Sequence, residues 1–339
     1  ERMVLFWHNH FTSGLEKVKW APLLWKQNTL FRAQALGSFK TLLHEASRDP
    51  AMVLYLDSQS NRKGKPNENF ARELLELFTL GEGHYTEQDI REAARAFTGW
   101  QLDRKTGQFR IAERQHDEGE KTFLGRTGAF GGDGILDILL EQDRAAAFVT
   151  EKLWKEFVSP APEPKEIERL AGIFRSGGYE MKPLLQALFL SEAFWDPANR
   201  GTLIKSPVDL IVGTVRTLKL TVPDPVPLAQ GSRMLGQDLF DPPNVKGWPG
   251  GTAWITSSTL LGRRQVLERS LRGQEMEGKG KDKMAGGRMK ALSGWMEAQG
   301  SERAVRILLP LPPAEPLPDD LTPAEALARL LLDPVYQLR

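Results

Sequence analysis

The sequence predicts a mainly α-helical globular domain with one small β-hairpin. Apolar residues recur at three- and four-residue spacing, the period of amphipathic helices, through most of the 339-residue chain. Hydrophobic residues make up 40% of it and charged residues 26%, a balance typical of a folded, soluble chain. Strand-like alternation is confined to a stretch near residues 105–125. We therefore expect many packed helices and no large sheet.

The first hundred residues hold the clearest helix signals. Residues 2–43, rich in long apolar and basic side chains, predict two or three helices. The helical run that follows ends at Pro50, because the residue before a proline is pushed out of the helical region. Residues 67–80 predict the most regular helix of the chain, ended by Gly81. Residues 86–89 (Thr-Glu-Gln-Asp) form a capping-box pattern that begins the next helix.

The middle of the chain alternates between loops and helices. Residues 109–111 and 122–124 alternate as paired strands do and predict the hairpin. Residues 241–254 contain too many Pro and Gly residues for a helix or a central strand, so they predict a rigid loop that carries aromatic side chains. Helical periodicity covers four further stretches: 135–158, 165–174, 182–194 and 207–218.

The predicted domain organisation has three parts. Residues 1–270 are expected to form a single, mostly helical domain. Residues 271–300 are rich in Gly and charge and poor in apolar residues, which predicts a flexible insertion. Residues 301–339 hold a Pro-rich linker and a last helix, begun by Thr322 with a proline at its first helical position, that packs back on the domain.

Composition excludes several classes of function. The formal net charge of +1 provides no field that would attract nucleic acid, so no nucleic-acid partner is expected. No window approaches the roughly 18 consecutive apolar residues of a membrane-spanning helix. The chain has no cysteine, which rules out disulfides, thiolate nucleophiles and Cys-ligated metals. It begins at Glu1, inside an apolar helical pattern, so we expect an N-terminal segment to be missing.

A first candidate site is the sequence Trp-His-Asn-His-Phe at residues 7–11. Helical residues two apart point about 200° away from each other, so only one of the two histidines is expected to face a site. His10 shares a face with Met3 and Trp7, which favours His10 as the inward residue. The alternative, favoured on this motif alone, is a core histidine bound to a backbone carbonyl.

The second candidate is Glu73, on the predicted helix over residues 67–80. Glu68, Arg72 and Glu76 form a polar ladder at four-residue spacing, the pattern of a solvated helix face. Glu73 lies instead at the margin of the apolar stripe, where a carboxylate is partly desolvated unless it meets a cation, a metal or a proton. It is therefore the best candidate for a functional acid. The alternative is a structural salt bridge with a nearby arginine: Arg72, Arg91 or Arg95.

The third candidate is the adjacent pair His116 and Asp117 in a Gly-bearing loop. Such a pair can supply metal ligands or a general base oriented by its neighbour, but an ordinary turn favours the same residues. All five histidines lie in the first 116 residues, and a cluster of His and carboxylate is the metal chemistry that this composition allows. Their spacing matches no short metal signature such as His-Glu-x-x-His.

Several stretches form one pattern, in order along the chain: residues 6–11, 49–52, 55–57, 66–77, 79–81, 98–100, 116–117, 119, 121, 206–208 and 242–251. In these stretches the chain resembles the bacterial family catalogued as domain of unknown function 1800. The resemblance implies mostly helical members, often exported, with the three polar clusters as a shared pattern, and it names no reaction. It therefore implies a periplasmic or extracellular location.

Two hypotheses about function follow, together with a weaker third. The first is a metal- or acid-assisted enzyme in which Glu73, His116 and Asp117 are catalytic. The second is a non-catalytic helical scaffold or binding protein whose polar residues form a buried hydrogen-bond network. The third is a carbohydrate- or polymer-binding module that uses exposed tryptophans. The enzyme hypothesis assigns a divalent metal to His8, His10, Glu68, Glu73 and His116. It lines the pocket with Trp7, Asn67, Asn69, Arg72, Trp100, Lys121, Asn244, Trp248 and Trp254, and residues 244–254 form its roof.

Overall fold

The computed structural model of the chain describes residues 1–103, 105–272 and 283–339. Their contacts group them into two compact units. The first comprises Glu1–Phe157, Ala161–Phe194 and Phe240–Trp248, and the second comprises Val158–Pro160, Trp195–Leu239 and Pro249–Arg339. These boundaries differ from the single domain expected over residues 1–270, because local patterns along the sequence do not reveal which distant segments pack together.

The mainly α-helical class is confirmed. In the first unit the helices are α1 (Arg2–His10), α2 (Leu15–Val18), α3 (Ala21–Gln34), α4 (Phe39–Ser47), α5 (Pro50–Tyr55), α6 (Asn69–Glu73), α7 (Glu87–Ala96), α8 (Gly132–Glu141), α9 (Asp143–Phe157), α10 (Pro164–Ser176) and α11 (Met181–Phe189). A π-helix (Leu74–Thr79) continues α6, and single 3-10 turns occur at Ser58–Ser60 and Glu113–Gln115. The short helix α12 (Glu192–Trp195) follows.

The predicted hairpin is two hairpins. Strand β1 (Trp100–Leu102) pairs antiparallel with β2 (Phe109–Ile111), with Gln101 opposite Arg110. Strand β3 (Lys121–Phe123) pairs antiparallel with β4 (Arg126–Gly128). The prediction that residues 109–111 pair with 122–124 was therefore wrong. The physical reason is the turn after β3, where Leu124 and Gly125 both have positive φ (47° and 78°), the geometry that folds a strand directly back on itself.

The core of the first unit is built around aromatic rings. The Trp7 ring is fully buried and stacks on Phe39 with a centroid distance of 5.7 Å. Phe11 lies against Phe31 and Phe78 at 6.2 and 5.3 Å. The indole nitrogen of Trp7 donates to the Ala35 carbonyl at 3.1 Å, so this buried polar group is satisfied. Helix α1 is consequently anchored at the centre of the unit.

The helix predicted over residues 67–80 changes its winding. It begins as α6 and continues as the π-helix, in which the Leu80 amide donates to the Leu75 carbonyl five residues earlier at 2.9 Å. The Thr79 hydroxyl donates to the Leu74 carbonyl at 2.6 Å, which satisfies a carbonyl near the start of the wide turn. Gly81 follows with a φ of +81°, the left-handed conformation expected for a residue that ends a helix.

The capping box of α7 forms as predicted. Asp89 accepts from the Thr86 amide at 2.8 Å, and the Thr86 hydroxyl accepts from the Asp89 amide at 3.2 Å. Asp89 also accepts from the Leu124 amide at 2.8 Å, so one carboxylate both caps the helix and holds the turn between β3 and β4. Local sequence thus fixes the helix start, and the same side chain positions the hairpin.

The regular elements in the described part of the second unit are helices. They are α13 (Pro207–Thr217), α14 (Val226–Met234), α15 (Ser257–Arg272), α16 (Lys283–Gln299), α17 (Ser301–Leu308) and α18 (Pro323–Leu332), with 3-10 turns at Gly251–Trp254 and Pro334–Gln337. Capping boxes begin α13 at Ser206 and α18 at Thr322, the latter as expected. A core that includes Leu210, Leu267 and Leu327 joins these helices.

The flexible insertion expected over residues 271–300 is corrected in part. Residues 273–282 lie outside the described residues. Of the remainder, Lys283–Gln299 forms α16, and its Leu292 and Met296 are buried in the core of the second unit. Leu292 and Met296 are four residues apart, so both lie on the same face of α16 and can pack into the core together. The low apolar content of residues 271–300 as a whole gave no sign of this short apolar face. In the described ranges, no helix has the length and hydropathy needed to cross a bilayer.

Candidate functional site

A polar cleft of about 510 Å³ lies in the first unit and contains the strongest site residue predicted from sequence. Helix α6 contributes Asn69 and Glu73, the end of α5 contributes Tyr55, and the segment around α2 contributes Lys17. The segment Phe240–Trp248 supplies the remaining wall through Asp241 and its two following prolines. Four separate parts of the sequence therefore converge on one cleft.

Glu73 lies half-buried in this cleft with a free carboxylate. In the described part of the chain it has no hydrogen bond and no ion pair, so the salt bridge considered from sequence does not form. Burial raises the pKa of Glu73, the neighbouring Glu76 raises it further, and Lys246 and Arg72 oppose these effects from a distance. Lys246 is itself paired with Glu76 at 3.3 Å. A carboxyl with a raised pKa and no partner is suited to exchanging a proton with a ligand.

Tyr55 provides a second unpartnered group in the cleft. Burial raises the pKa of its phenol, and the nearby carboxylates of Asp241, Glu16 and Glu73 raise it further. Within the described residues its hydroxyl has no hydrogen-bond partner. The phenol therefore remains protonated at neutral pH and is free to donate a hydrogen bond to a ligand. Glu73 acts electrostatically on Tyr55, so the two groups belong to one site.

Two side chains of the cleft lining, Lys17 and Asn69, both contact Asp57. The Lys17 amine binds Asp57 at 2.6 Å and lies 5.7 Å from the centre of the Tyr55 ring. The Asn69 amide donates to Asp57 at 3.4 Å. Asp57 adopts a left-handed backbone conformation with a φ of +58°. These contacts position the side chains around Glu73 without occupying Glu73 itself.

Helix α1 fastens the wall formed by Phe240–Trp248. The Phe240 amide donates to His8 Nε2 at 3.2 Å, and the Trp248 amide donates to Asn9 Oδ1 at 2.7 Å. The His8 ring also packs on Trp248 at a centroid distance of 5.3 Å. Gly247 has a φ of +80°, and a Cβ atom there would overlap the Asn9 side chain. The conspicuous motif at residues 7–11 thus acts on the cleft indirectly, by holding its wall in place.

The expectation that only one histidine of this motif points inward was wrong. His8 and His10 are both buried, because the segment Phe240–Trp248 covers the side of α1 that local periodicity leaves open. His10 Nε2 lies 3.0 Å from the Phe78 carbonyl, and its Nδ1 lies 3.1 Å from the amine of Lys152. Burial lowers the pKa of both imidazoles, to about 4 for His8. Both rings are therefore neutral at pH 7.

Lys152 is a residue that sequence reasoning missed. Its amine donates to the Leu77 carbonyl at 3.0 Å as well as to His10, and Arg144 donates to the Leu80 carbonyl at 2.8 Å. These side chains satisfy carbonyls at the end of the π-helix, where positive charge is favourable. Burial lowers the pKa of Lys152 to about 7. The sequence could have indicated this role, because Lys152 lies one turn after Val149 and next to Leu153, inside the apolar stripe of α9.

His116 and Asp117 organise their own loop. His116 Nδ1 lies 2.9 Å from the Thr98 carbonyl, and Asp117 pairs with Arg95 at 2.9 Å, which lowers the pKa of Asp117. The Lys121 amine donates to the carbonyls of Asp117 and Gly119 at 2.5 and 2.9 Å. This is the turn alternative considered from sequence. A catalytic role for His116 and Asp117 has no support from these contacts.

The proposed metal ligands do not assemble into one site. Among the described residues, no group of three or more His, Asp or Glu side chains could hold a metal ion. The imidazoles of His8, His10 and His116 each have a separate partner, as given above. Glu68 pairs with Arg72 at 3.2 Å. Of the five predicted ligands, only Glu73 is left with a carboxylate free to meet a ligand.

Some of the predicted pocket residues line the cleft, and the others make structural contacts elsewhere. Asn69 lines the cleft, whereas Asn67 accepts from the Asn69 amide at 2.9 Å and so supports the start of α6. Trp7 and Trp100 are core residues, and Lys121 is buried in its loop. The segment expected to form a roof, residues 244–254, is divided between the two units. Trp248 belongs to the first unit, where Asn244 accepts from the Lys246 amide at 2.9 Å, and Trp254 belongs to the second unit.

Comparison with known proteins identifies a family. No curated protein and no solved structure matches the chain. The family model described as "Protein of unknown function (DUF1800)" matches residues 1–338. The match covers nearly the whole chain, including α6 and the segment Phe240–Trp248, which both line the cleft. The chain therefore belongs to the DUF1800 family.

Proposed function

We propose that the protein is a hydrolytic or group-transfer enzyme that uses Glu73 as its general acid or base. The observation that carries this proposal is the unpartnered, half-buried carboxylate of Glu73 in a polar cleft. A raised pKa brings a carboxyl closer to neutral pH, where it can both hold and release a proton. Tyr55 would donate a hydrogen bond to the ligand from the same cleft. The proposal contains no metal step.

The winding of the helix beneath Glu73 supports a functional role. Wide π-turns are less favourable than α-helix and occur frequently at functional sites. Here the π-helix begins at Leu74, directly after Glu73. The carbonyls at its end and at the following Leu80 are satisfied by His10, Lys152 and Arg144. The buried polar contacts of the scaffold hypothesis thus lie at the end of the π-helix, and the candidate acid of the enzyme hypothesis lies directly before its start.

The experiment is a comparison of wild type with Glu73→Gln, and with Glu68→Gln as the matched control on the same helix. Carbon-13 NMR of labelled glutamate measures the pKa of Glu73, which we expect above its ordinary value of 4.5. Chromogenic glycosides, esters and phosphates test turnover. Loss of a general acid or base is expected to lower kcat by about 100-fold or more in Glu73→Gln, while Glu68→Gln retains activity. A Glu73 pKa at or below 4.5, or turnover that survives in Glu73→Gln, would refute the proposal.

A binding protein without turnover is the alternative function of the same cleft. In that case ligands that bind near Glu73 would be recovered unchanged after incubation, and binding would weaken in Glu73→Gln.

We also propose a periplasmic or extracellular location, which is supported by the resemblance of the chain to a family whose members are often exported. Fractionation of the source cells tests it, because recovery of the protein in the cytoplasmic fraction alone would contradict it.

A further inference from the structure

The second unit contains a cleft that the proposed function does not use. It has a volume of about 770 Å³, within the range of about 300–1,000 Å³ typical of small-molecule sites. One wall is α15, through Leu260, Leu261 and Leu267, and others include Leu332 and Leu338 near the end of the chain. The described lining is mostly aliphatic and has no aromatic ring. Such a surface suits a flexible hydrocarbon chain better than a flat ring system.

Two of the three lining leucines of α15 are open to solvent, whereas Leu267 is buried. Leu260 is 48% exposed and Leu261 is 57% exposed. They are adjacent and both line the cleft, so they form a contiguous apolar surface. Contiguous apolar surface that remains in water commonly marks a binding site, because covering it releases water. A hydrocarbon ligand would cover both side chains.

Arg264 gives the lining of the cleft a positive charge, and in the described residues only its Nε is engaged, with Glu268 at 2.9 Å. The buried Arg263 beside it donates to Gln337, another lining residue, at 2.7 Å and to the Lys205 carbonyl at 2.6 Å. Its Nη1 has no hydrogen-bond partner among the described residues. Unused guanidinium donors next to an aliphatic cavity favour a ligand with an anionic end.

We propose that this cleft binds a free single-chain aliphatic carboxylate. The leucines would contact the hydrocarbon chain, and Arg264 would bind the carboxylate head. The proposal is independent of the cleft that contains Glu73, which belongs to the other unit. It therefore stands or falls separately from the proposed function.

Dodecanoate, used below its micellar concentration, is the probe, and isothermal titration calorimetry on the full chain is the measurement. We expect saturable one-to-one binding, with weaker binding of dodecanol and of dodecyltrimethylammonium, which share the chain but lack the anionic head. Arg264→Gln should weaken dodecanoate binding by about tenfold, the usual effect of a charge-assisted hydrogen bond, and should leave dodecanol binding unchanged. This separates the role of the head from that of the chain.

Leu261→Glu places a charge in the apolar wall and should abolish dodecanoate binding. Val226→Glu is the matched control, because Val226 is 54% exposed and does not line the cleft. Both sites are exposed, so both variants are expected to fold, which circular dichroism checks. Dodecanoate binding that is equal in wild type and Leu261→Glu would overturn the proposal, as would equal binding of the cationic detergent. A concentration-dependent dimer that Leu261→Glu dissociates would also overturn it, since a second copy would then be the occupant.

Discussion

Titration of the Lys152 amine should make the unfolding free energy of the first unit depend on pH between about 7 and 10.5. The pKa of this lysine falls from 10.5 to about 7 on folding, and one pKa unit corresponds to about 1.4 kcal/mol, so the charged form costs the folded state up to about 5 kcal/mol. Above pH 7 the folded state releases this proton, while the unfolded chain keeps it until about pH 10.5. The unfolding free energy should therefore rise with pH through this window and lose that gain as pH falls to 7.

The test is the pH dependence of unfolding in Lys152→Met. Between pH 7 and 9, wild type should gain about 2.5 kcal/mol in unfolding free energy relative to the variant, because only wild type carries the titrating amine. Urea unfolding followed by tryptophan fluorescence measures this difference. The lost hydrogen bond to Leu77 affects the variant at every pH and therefore cancels from the slope.

Lys182→Met is the matched control, since Lys182 is an exposed helical lysine of the same unit and is not among the charges that lower the pKa of Lys152. Its unfolding free energy should follow that of wild type between pH 7 and 9. If Lys152→Met and wild type instead show parallel pH dependence, the Lys152 amine is charged in the folded protein at pH 9, and the account of its burial is wrong.

Five further substitutions test a helix cap, the core and one close backbone contact. Thr86→Ala should lower the unfolding free energy by about 1 kcal/mol through loss of the α7 cap, measured by urea unfolding. Leu327→Ala, at a fully buried position, should cost about 2–5 kcal/mol, whereas Leu190→Ala, 73% exposed, should cost almost nothing; a similar loss in both would contradict the assigned core. Gly247→Ala should destabilise more than Gly250→Ala, because both have positive φ but only Gly247 abuts Asn9. Equal melting temperatures would show that this contact is unimportant.

Features set by neighbouring residues were predictable from the sequence. The capping box at Thr86, the left-handed Gly81 and the capped helix after Thr322 all depend on side chains within a few positions of the backbone groups that they satisfy. The partly desolvated position of Glu73 was also visible, because it follows from helical periodicity alone. Such features need no knowledge of the rest of the fold.

Features set by distant partners were not predictable. Alternation identified the strand at Phe109–Ile111, but it could not show that the partner was Trp100–Leu102. His8 is buried by a segment that lies more than 230 positions away in the sequence. The helical periodicity of α1 gives no indication that this segment packs there. The predicted metal ligands did not converge for a related reason. The first 116 residues hold all five histidines, but closeness in sequence did not bring three ligating side chains to one point among the described residues.

The wide turn at Leu74–Thr79 also has a consequence for how the sequence of this helix tolerates change in length. A π-turn holds one residue more than the α-helical turn it replaces, so deleting a single residue there would restore ordinary α-helical winding. The residues after the deletion would then keep nearly their present direction about the helix axis, because the wide turn already accommodates the extra residue. An equal deletion inside α9, which is α-helical from Asp143 to Phe157, would instead rotate everything after it by about 100°. We therefore expect the protein to tolerate a one-residue deletion at Leu74–Thr79 better than one in the middle of α9.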